Sequence, residues 1–259
     1  MGSMLDLEEP DIRLRLYITG DTLIHDQLAE IPRRYPDIDL PPSGRPTNGV
    51  AAQAGMMEPM IADPSPAWRG SAWGGIAGPG VFVAAWLVGG AIRRGYSPID
   101  DAISQLAAVG TPGRSLMTAG FVGFGVGVPI YAMALRRSVP GPAWGTAVAT
   151  GLATLGVAAV PLGASSTTDT AHAGLAALAY VALAATPLLA AGPLRASGRR
   201  PAAAASVATG VTTALCLAAT TLGPAHGLLQ RAGLTLGDAW LAASAAWMLR
   251  GGRTAQSVS

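Results

Sequence analysis

The chain has no lysine and one cysteine, and past residue 63 it has almost no acid. Each shortage excludes something. Cys216 alone cannot close an internal disulfide or supply a cysteine cluster for zinc, and inside its apolar run it reads as a small buried residue. Eleven of the fifteen acidic residues precede residue 64, so residues 64–259 carry only Asp100, Asp101, Asp169 and Asp238, against twelve arginines. A soluble domain of that size covers its surface with charge on about a quarter of its residues. The net charge of +2 therefore averages two unlike parts, an acidic front and a basic, very apolar remainder. The N-terminus lacks the basic-then-apolar pattern of a signal peptide, so no cleavage is expected. The expected partner is the lipid bilayer, with no nucleic acid; protein partners stay open.

What is present past the front part is a series of six apolar stretches, at about 72–92, 115–135, 143–163, 173–194, 201–222 and 233–249. Each approaches the ~20 residues that cross a hydrocarbon core of ~30 Å as a helix. The runs lack the strict alternation of barrel strands, and in lipid the helix then satisfies the backbone by itself. The fold class expected is all-α, an integral membrane bundle of about six transmembrane helices over residues 67–253, with a disordered tail at 254–259. The fifth and sixth stretches carry the weakest signal. The fifth is mostly Ala, Thr, Val and Ser.

Residues 1–66 hold no spanning run and are expected to form a poorly ordered, dispensable extension and linker. Within them, residues 11–19 alternate as a strand does, Gly20-Asp21-Thr22 reads as a turn, and residues 22–35 could form a short amphipathic helix. From Pro41 to Pro66 the chain is rich in Pro, Gly and Ala without a period.

Six spans place eight arginines (69, 136, 137, 195, 199, 200, 250 and 253) on the side of the termini and four (93, 94, 114 and 231) on the other. That bias predicts a multi-pass protein of the cell membrane with both termini cytoplasmic. Gly120, Gly123, Gly125 and Gly127, with Gly151 and Gly156, read as close helix packing. No strand precedes them and their spacing is wrong for a dinucleotide loop. Trp73, Trp144, Trp240 and Trp247 lie near span ends, as interfacial belts require.

The polar residues of the membrane part gather in or beside the first, third and fifth loops, which share the predicted outer face. Asp169 and His172 stand at i, i+3 and could share a divalent metal or act as an acid–base pair, with His226 as a third metal ligand. The competing reading has Thr168 or Asp169 capping the fourth helix and His172 bonded to nearby backbone. Asp100 and Asp101 resemble a helix start after Ser97-Pro98, with Ile99, Ile103 and Leu106 on one face; a short re-entrant or interfacial helix would account for the long first loop. Gln105 lies in the same segment. Gln230 and Arg231 could hold a phosphate or carboxylate, or Arg231 could merely snorkel. Asp238, a turn or more inside the sixth span, is a site candidate by its cost alone, pairing with Arg231; a later helix start would make it a first-turn carboxylate.

The catalytic candidates are thus Asp169, His172 and Asp238. The ligand-binding candidates are Asp100, Asp101, Gln105, His226, Gln230 and Arg231. Three functions remain open. The first is an accessory or structural membrane protein. The second is a membrane enzyme or lipid-binding protein with an outer-face polar site. The third is a small-molecule transporter, disfavoured because Pro129 and Pro161 lie near predicted span ends and no repeat is evident.

Two resemblances add to this. Tyr96 through Leu106, Pro161 with Asp169 and His172, and Gly227-Leu228-Leu229-Gln230-Arg231 stand in the order and spacing of the domain-of-unknown-function family 998. Over about residues 74–249 the chain resembles that family, which implies about six helices and membrane residence and no particular activity. Leu16-Tyr17-Ile18-Thr19-Gly20-Asp21-Thr22 and Ile31-Pro32-Arg33-Arg34-Tyr35-Pro36-Asp37-Ile38-Asp39-Leu40 are similar to a piece of a metallo-β-lactamase-fold hydrolase. There the aspartate matching Asp21 would bridge metals, but the histidine-rich motif is missing.

Overall fold

The computed structural model describes the backbone of residues 3–9 and 12–18, and residues 70–250 in full. The chain divides into two compact units, Met1–Ile61 and Ala62–Ser259. In the first, β1 (Ser3–Glu9) pairs antiparallel with β2 (Ile12–Ile18), Ser3 opposite Ile18 and Glu9 opposite Ile12. The strand expected at 11–19 is therefore present as one arm of a hairpin, which the expectation of a poorly ordered extension did not include. The turn at 20–22, the amphipathic segment at 22–35 and the linker lie outside the described residues.

The described residues of the second unit form an all-α bundle, one of the two architectures that satisfy the backbone in lipid. Its helices are α1 (Gly74–Ile92), α2 (Arg114–Ser138), α3 (Ala143–Ala159), α4 (Ser166–Ala196), α5 (Arg200–Ala219) and α6 (His226–Leu249), with a short 3₁₀ helix at Ile103–Ala107. Four of them, α1, α2, α4 and α5, are long and apolar enough to cross a bilayer. The α3 helix is apolar but has 17 residues. The α6 helix has 24 residues but carries Gln230, Arg231 and Asp238. The weak fifth stretch thus forms one of the clear spans, and the third is the short one.

Each helix packs on the next, and α6 closes on α1. The chain can approach itself this tightly because glycine removes side chains at the crossings. A Cβ on Gly127 of α2 would lie 2.9 Å from both Gly74 O and Gly78 Cα of α1. A Cβ on Gly125 would lie 2.6 Å from Leu155 Cγ of α3, and one on Gly237 of α6 would lie 2.7 Å from Leu183 of α4. With no hydrophobic force between helices in lipid, such contacts supply the dispersion that holds the bundle. Polar pairs add to it. Tyr131 and Ser244 hydroxyls lie 2.6 Å apart between α2 and α6, and Trp240 Nε1 donates to Ser206 Oγ at 2.9 Å between α6 and α5. Trp240 is thereby an interhelical residue inside α6, not a belt residue at its end. Pro129 likewise lies inside α2 rather than near its end.

Three loops meet at one end of the bundle. Val109 N in the first donates to Leu162 O in the third at 2.9 Å, and Leu228 N at the start of α6 donates to Ile99 O at 2.9 Å. The first loop does not lie over this mouth but dips into it: Ile103, Leu106 and Ala107 belong to the buried core.

Candidate functional site

The first loop is folded by its own polar residues. Ser97 N donates to Asp101 Oδ2 at 2.8 Å, Ser97 Oγ donates to Asp100 Oδ2 at 2.9 Å, and Asp101 N donates to Ser97 O at 2.8 Å. These bonds close a turn over 98–101, after which the 3₁₀ segment descends; its N-cap is Ala102, so neither Asp100 nor Asp101 caps it. Ile103 and Leu106 face the core as expected, whereas Ile99 is exposed. Arg93 Nη1 donates to Gln105 O at 2.7 Å, so Gln105 contributes its backbone carbonyl here.

The start of α6 anchors the loop from the other side. Because α6 begins at His226, Gln230 and Arg231 stand in its first two turns instead of in a loop. Arg231 is 7% exposed, and its Nη1 donates to Pro98 O, Asp101 O and Gly227 O at 2.8, 2.9 and 2.8 Å. Its Nη2 donates to the Tyr96 hydroxyl, and the guanidinium lies 5.3 Å from the Tyr96 ring centre and 5.5 Å from that of Trp86. Arginine suits this place because its planar fork serves several acceptors at once and stacks on aromatic faces. Burial pushes the Tyr96 phenol above its ordinary pKa, with the neighbouring guanidinium pulling the other way. Gln230 Oε1 accepts from Ile103 N at 2.8 Å and its Nε2 donates to the Tyr180 hydroxyl. The Nη atoms of Arg231 are thus engaged by the first loop and by α6, while its Nε is buried without a partner.

The α4 start is a capping box. Ser165 is the N-cap, its Oγ accepting from Thr168 N at 3.2 Å while Thr168 Oγ1 accepts from Ser165 N at 2.8 Å. The cap is Ser165, not Thr168 or Asp169. Asp169 Oδ1 accepts from Gly163 N at 2.8 Å and so faces out over the loop. His172, one turn on, turns inward and is 3% exposed. Its Nδ1 lies 2.6 Å from Val160 O. A carbonyl only accepts, so Nδ1 carries the hydrogen, and in the neutral ring Nε2 is left as an acceptor. That Nε2 is buried without a partner.

The grouping of Asp169, His172 and His226 that a shared metal needs is not formed: among the described residues no three His, Cys, Asp or Glu side chains are placed to hold one ion. Asp238 lies in the middle of α6, which removes the first-turn reading. It is 3% exposed, and neither carboxylate oxygen has a partner. The expected pair with Arg231 is not made, because that guanidinium is turned two helical turns away toward the loop.

What the polar residues enclose is a cavity of about 40 Å³ beneath the first loop. Its walls include Phe82, Phe121 and Phe124, which are all the phenylalanines of the chain, together with His172, Tyr180 and Gln230. Phe82 packs on the other two with ring centres 5.7 and 5.4 Å apart. The volume accommodates a few waters or a small polar group, since one water occupies roughly 10–15 Å³ by this measure. The sequence reading missed Tyr180 and the phenylalanine trio. The only available signal was the scarcity of phenylalanine, whose three copies fall on two consecutive spans.

Residues 76–247 match the model of a family described as "Protein of unknown function (DUF998)". No curated protein and no solved structure matches the chain. The likeness of residues 11–40 to a metallo-β-lactamase-fold hydrolase is overturned: the family match lies wholly beyond that segment, and the described residues before residue 70 form only the β1–β2 hairpin, without the α/β layers of such a hydrolase. Asp21 lies outside the described residues.

Proposed function

The chain belongs to the DUF998 family of proteins of unknown function, and from that premise we propose that this integral membrane protein binds a small molecule inside its bundle. The reading is that of a binding protein, the lipid-binding alternative, in preference to an enzyme. One observation carries it: the His172 imidazole is buried with an unpartnered Nε2 on the wall of the cavity beneath the first loop. A buried acceptor left without a donor costs about 1–3 kcal/mol, and a ligand donor in the cavity removes that cost. Five of the other candidates are engaged in building the enclosure, and Asp238 is not among them. Asp100, Asp101, Asp169, Gln230 and Arg231 all bond to loop or cap groups, and these bonds fix the roof over the cavity.

The arginine bias supports an orientation in which this roof faces outward and both termini are cytoplasmic. In the same reading residues 1–66 are an extension separate from a membrane domain at 67–253, and residues 254–259 are a tail.

The test is a thermal-shift titration of the purified chain with total lipid extract. The wild type is expected to be stabilised, and Ala179→Leu, which grows a cavity-wall residue into the space, is expected to lose at least half of the shift. No stabilisation of the wild type, or an equal shift in both, overturns the reading.

A further inference from the structure

Beside the inner cavity lies a second, larger space of about 800 Å³ between α4 and α5, and the two share Ser104, His172, Ala176 and Tyr180 on their walls. We infer that the ligand is a single-chain lipid with a hydroxyl head, which enters sideways from the bilayer along this groove and brings its head to His172. The inference rests on the binding reading above and names the class of molecule bound.

The shape and the solvent identify the tail. The groove runs along α4 from His172 to Leu188, about 24 Å at ~1.5 Å per residue, most of the ~30 Å hydrocarbon core. Its volume falls within the ~300–1,000 Å³ usual for ligand sites. Alanine is the commonest residue of the walls, including Ala177 and Ala185 of α4 and Ala214 and Ala218 of α5. Val181, on the same wall, is 69% exposed. Small side chains on both helices leave a channel, and on spans that cross a bilayer the medium filling an open apolar channel is hydrocarbon. Ile103 of the first loop lines the inner cavity and not the groove.

The hydrogen-bonding atoms identify the head. His172 Nε2 offers a lone pair. The Tyr180 oxygen already accepts from Gln230 Nε2, so its own hydrogen is available to donate. Thr220 and Thr221, at the same end of the groove, donate to their own helix at Leu217 O and Ala218 O, 2.6 and 2.8 Å away. The shared wall thus pairs an acceptor at His172 with a donor at Tyr180, beside the Ser104 hydroxyl, which can do either. The guanidinium of Arg231 does not line either space, and its Nη atoms are bonded to the loop. A neutral hydroxyl, which donates and accepts, matches this pair; a phosphate dianion would find no cation and an alkane would leave both groups unpaired.

The full chain in lipid nanodiscs would be labelled with three diazirine probes of one chain length: a long-chain alcohol, its phosphate monoester and the matching alkane. The alcohol is expected to label α4 and α5 peptides at least tenfold above the other two. Ala177→Phe, at an exposed groove position, is expected to cut alcohol labelling tenfold, and His172→Phe to bring it down to the alkane level. Equal labelling by alcohol and alkane makes the groove a nonspecific lipid-facing surface and overturns the inference, as does preference for the phosphate or an undiminished signal in Ala177→Phe. The comparison of probes on the wild type decides even where a variant fails to fold. If lipid extract still stabilises the wild type and not Ala179→Leu while the alcohol shows no preference, the binding reading stands and the hydroxyl-lipid inference falls.

Discussion

Replacing Arg231 with alanine should release the first loop from the mouth of the bundle without unfolding the helices. The guanidinium donates to two loop carbonyls, Pro98 O and Asp101 O, and to the Tyr96 hydroxyl. Its bond to Gly227 O lies within α6 and does not hold the loop. A hydrogen bond from a charged donor contributes ~1.5–3 kcal/mol. The loop lies at the mouth, where water can refill the vacated places, so the low end applies to the two carbonyls, about 3 kcal/mol in all. At ~1.4 kcal/mol per factor of ten, local opening becomes about 150 times more frequent. Hydrogen exchange in nanodiscs reads this directly at two amides, Ile103, which donates to Gln230 Oε1, and Leu228, which donates to Ile99 O. Arg231→Lys should recover less than half of the protection, since an ammonium lacks the planar fork that reaches carbonyls and phenol together. If exchange at both amides rises less than threefold in Arg231→Ala, burial of Ile103 and Leu106 holds the loop and the arginine is incidental.

Gly127→Ala should cost about 1–3 kcal/mol by forcing α1 and α2 apart, because its Cβ would meet backbone atoms 2.9 Å away; Gly80→Ala, with nothing within 4 Å, is the control that should melt like the wild type in detergent. Asp238→Asn should raise the melting temperature, since it replaces a buried ionisable group that has no partner with a neutral one of equal size; a lower melting temperature would show that the carboxylate makes a bond in the membrane. Burial raises the Tyr96 pKa above its ordinary 10.0 in the folded loop. The unfolded loop therefore ionises first as pH climbs, and the stabilisation is complete below pH 10 and lost through the raised value. Exchange at Ile103 should accelerate across that window beyond its intrinsic base catalysis, and Tyr96→Phe should abolish the excess.

The six helices were legible because a run of ~20 apolar residues has one structural solution in hydrocarbon. Four of the expected boundaries are sharp for a physical reason. Arg93, Arg136 with Arg137, Arg199 with Arg200, and Arg250 cannot sit in the membrane core and mark where runs end. The starts of α4 and α6 were harder, since both helices begin with polar residues. Ser165 and Thr168 form a cap that carries α4 seven residues ahead of its apolar run, and α6 starts at His226 rather than near 233. That second shift changes the meaning of the site. Read as loop residues, Gln230 and Arg231 look like ligand holders; placed on the first turns of a helix, they reach inward and grip the first loop. Which way a helix faces was not legible either, because an apolar run in lipid has little amphipathic contrast. So His172 and Tyr180, eight residues apart on one helix, gave no sign of bordering the same cavity.

The clasp between Tyr96 and Arg231 joins residues 135 apart in the chain. At ~5–20 residues per second of synthesis, the first loop leaves the ribosome on the order of ten seconds before its arginine does. During that interval Ile103 and Leu106 have no mouth to fill, and whatever escorts nascent membrane chains must shield them. A chain cut short before α6 would keep five helices and still display this loop, which makes the loop a natural mark by which a cell's proteases could tell an unfinished copy from a finished one.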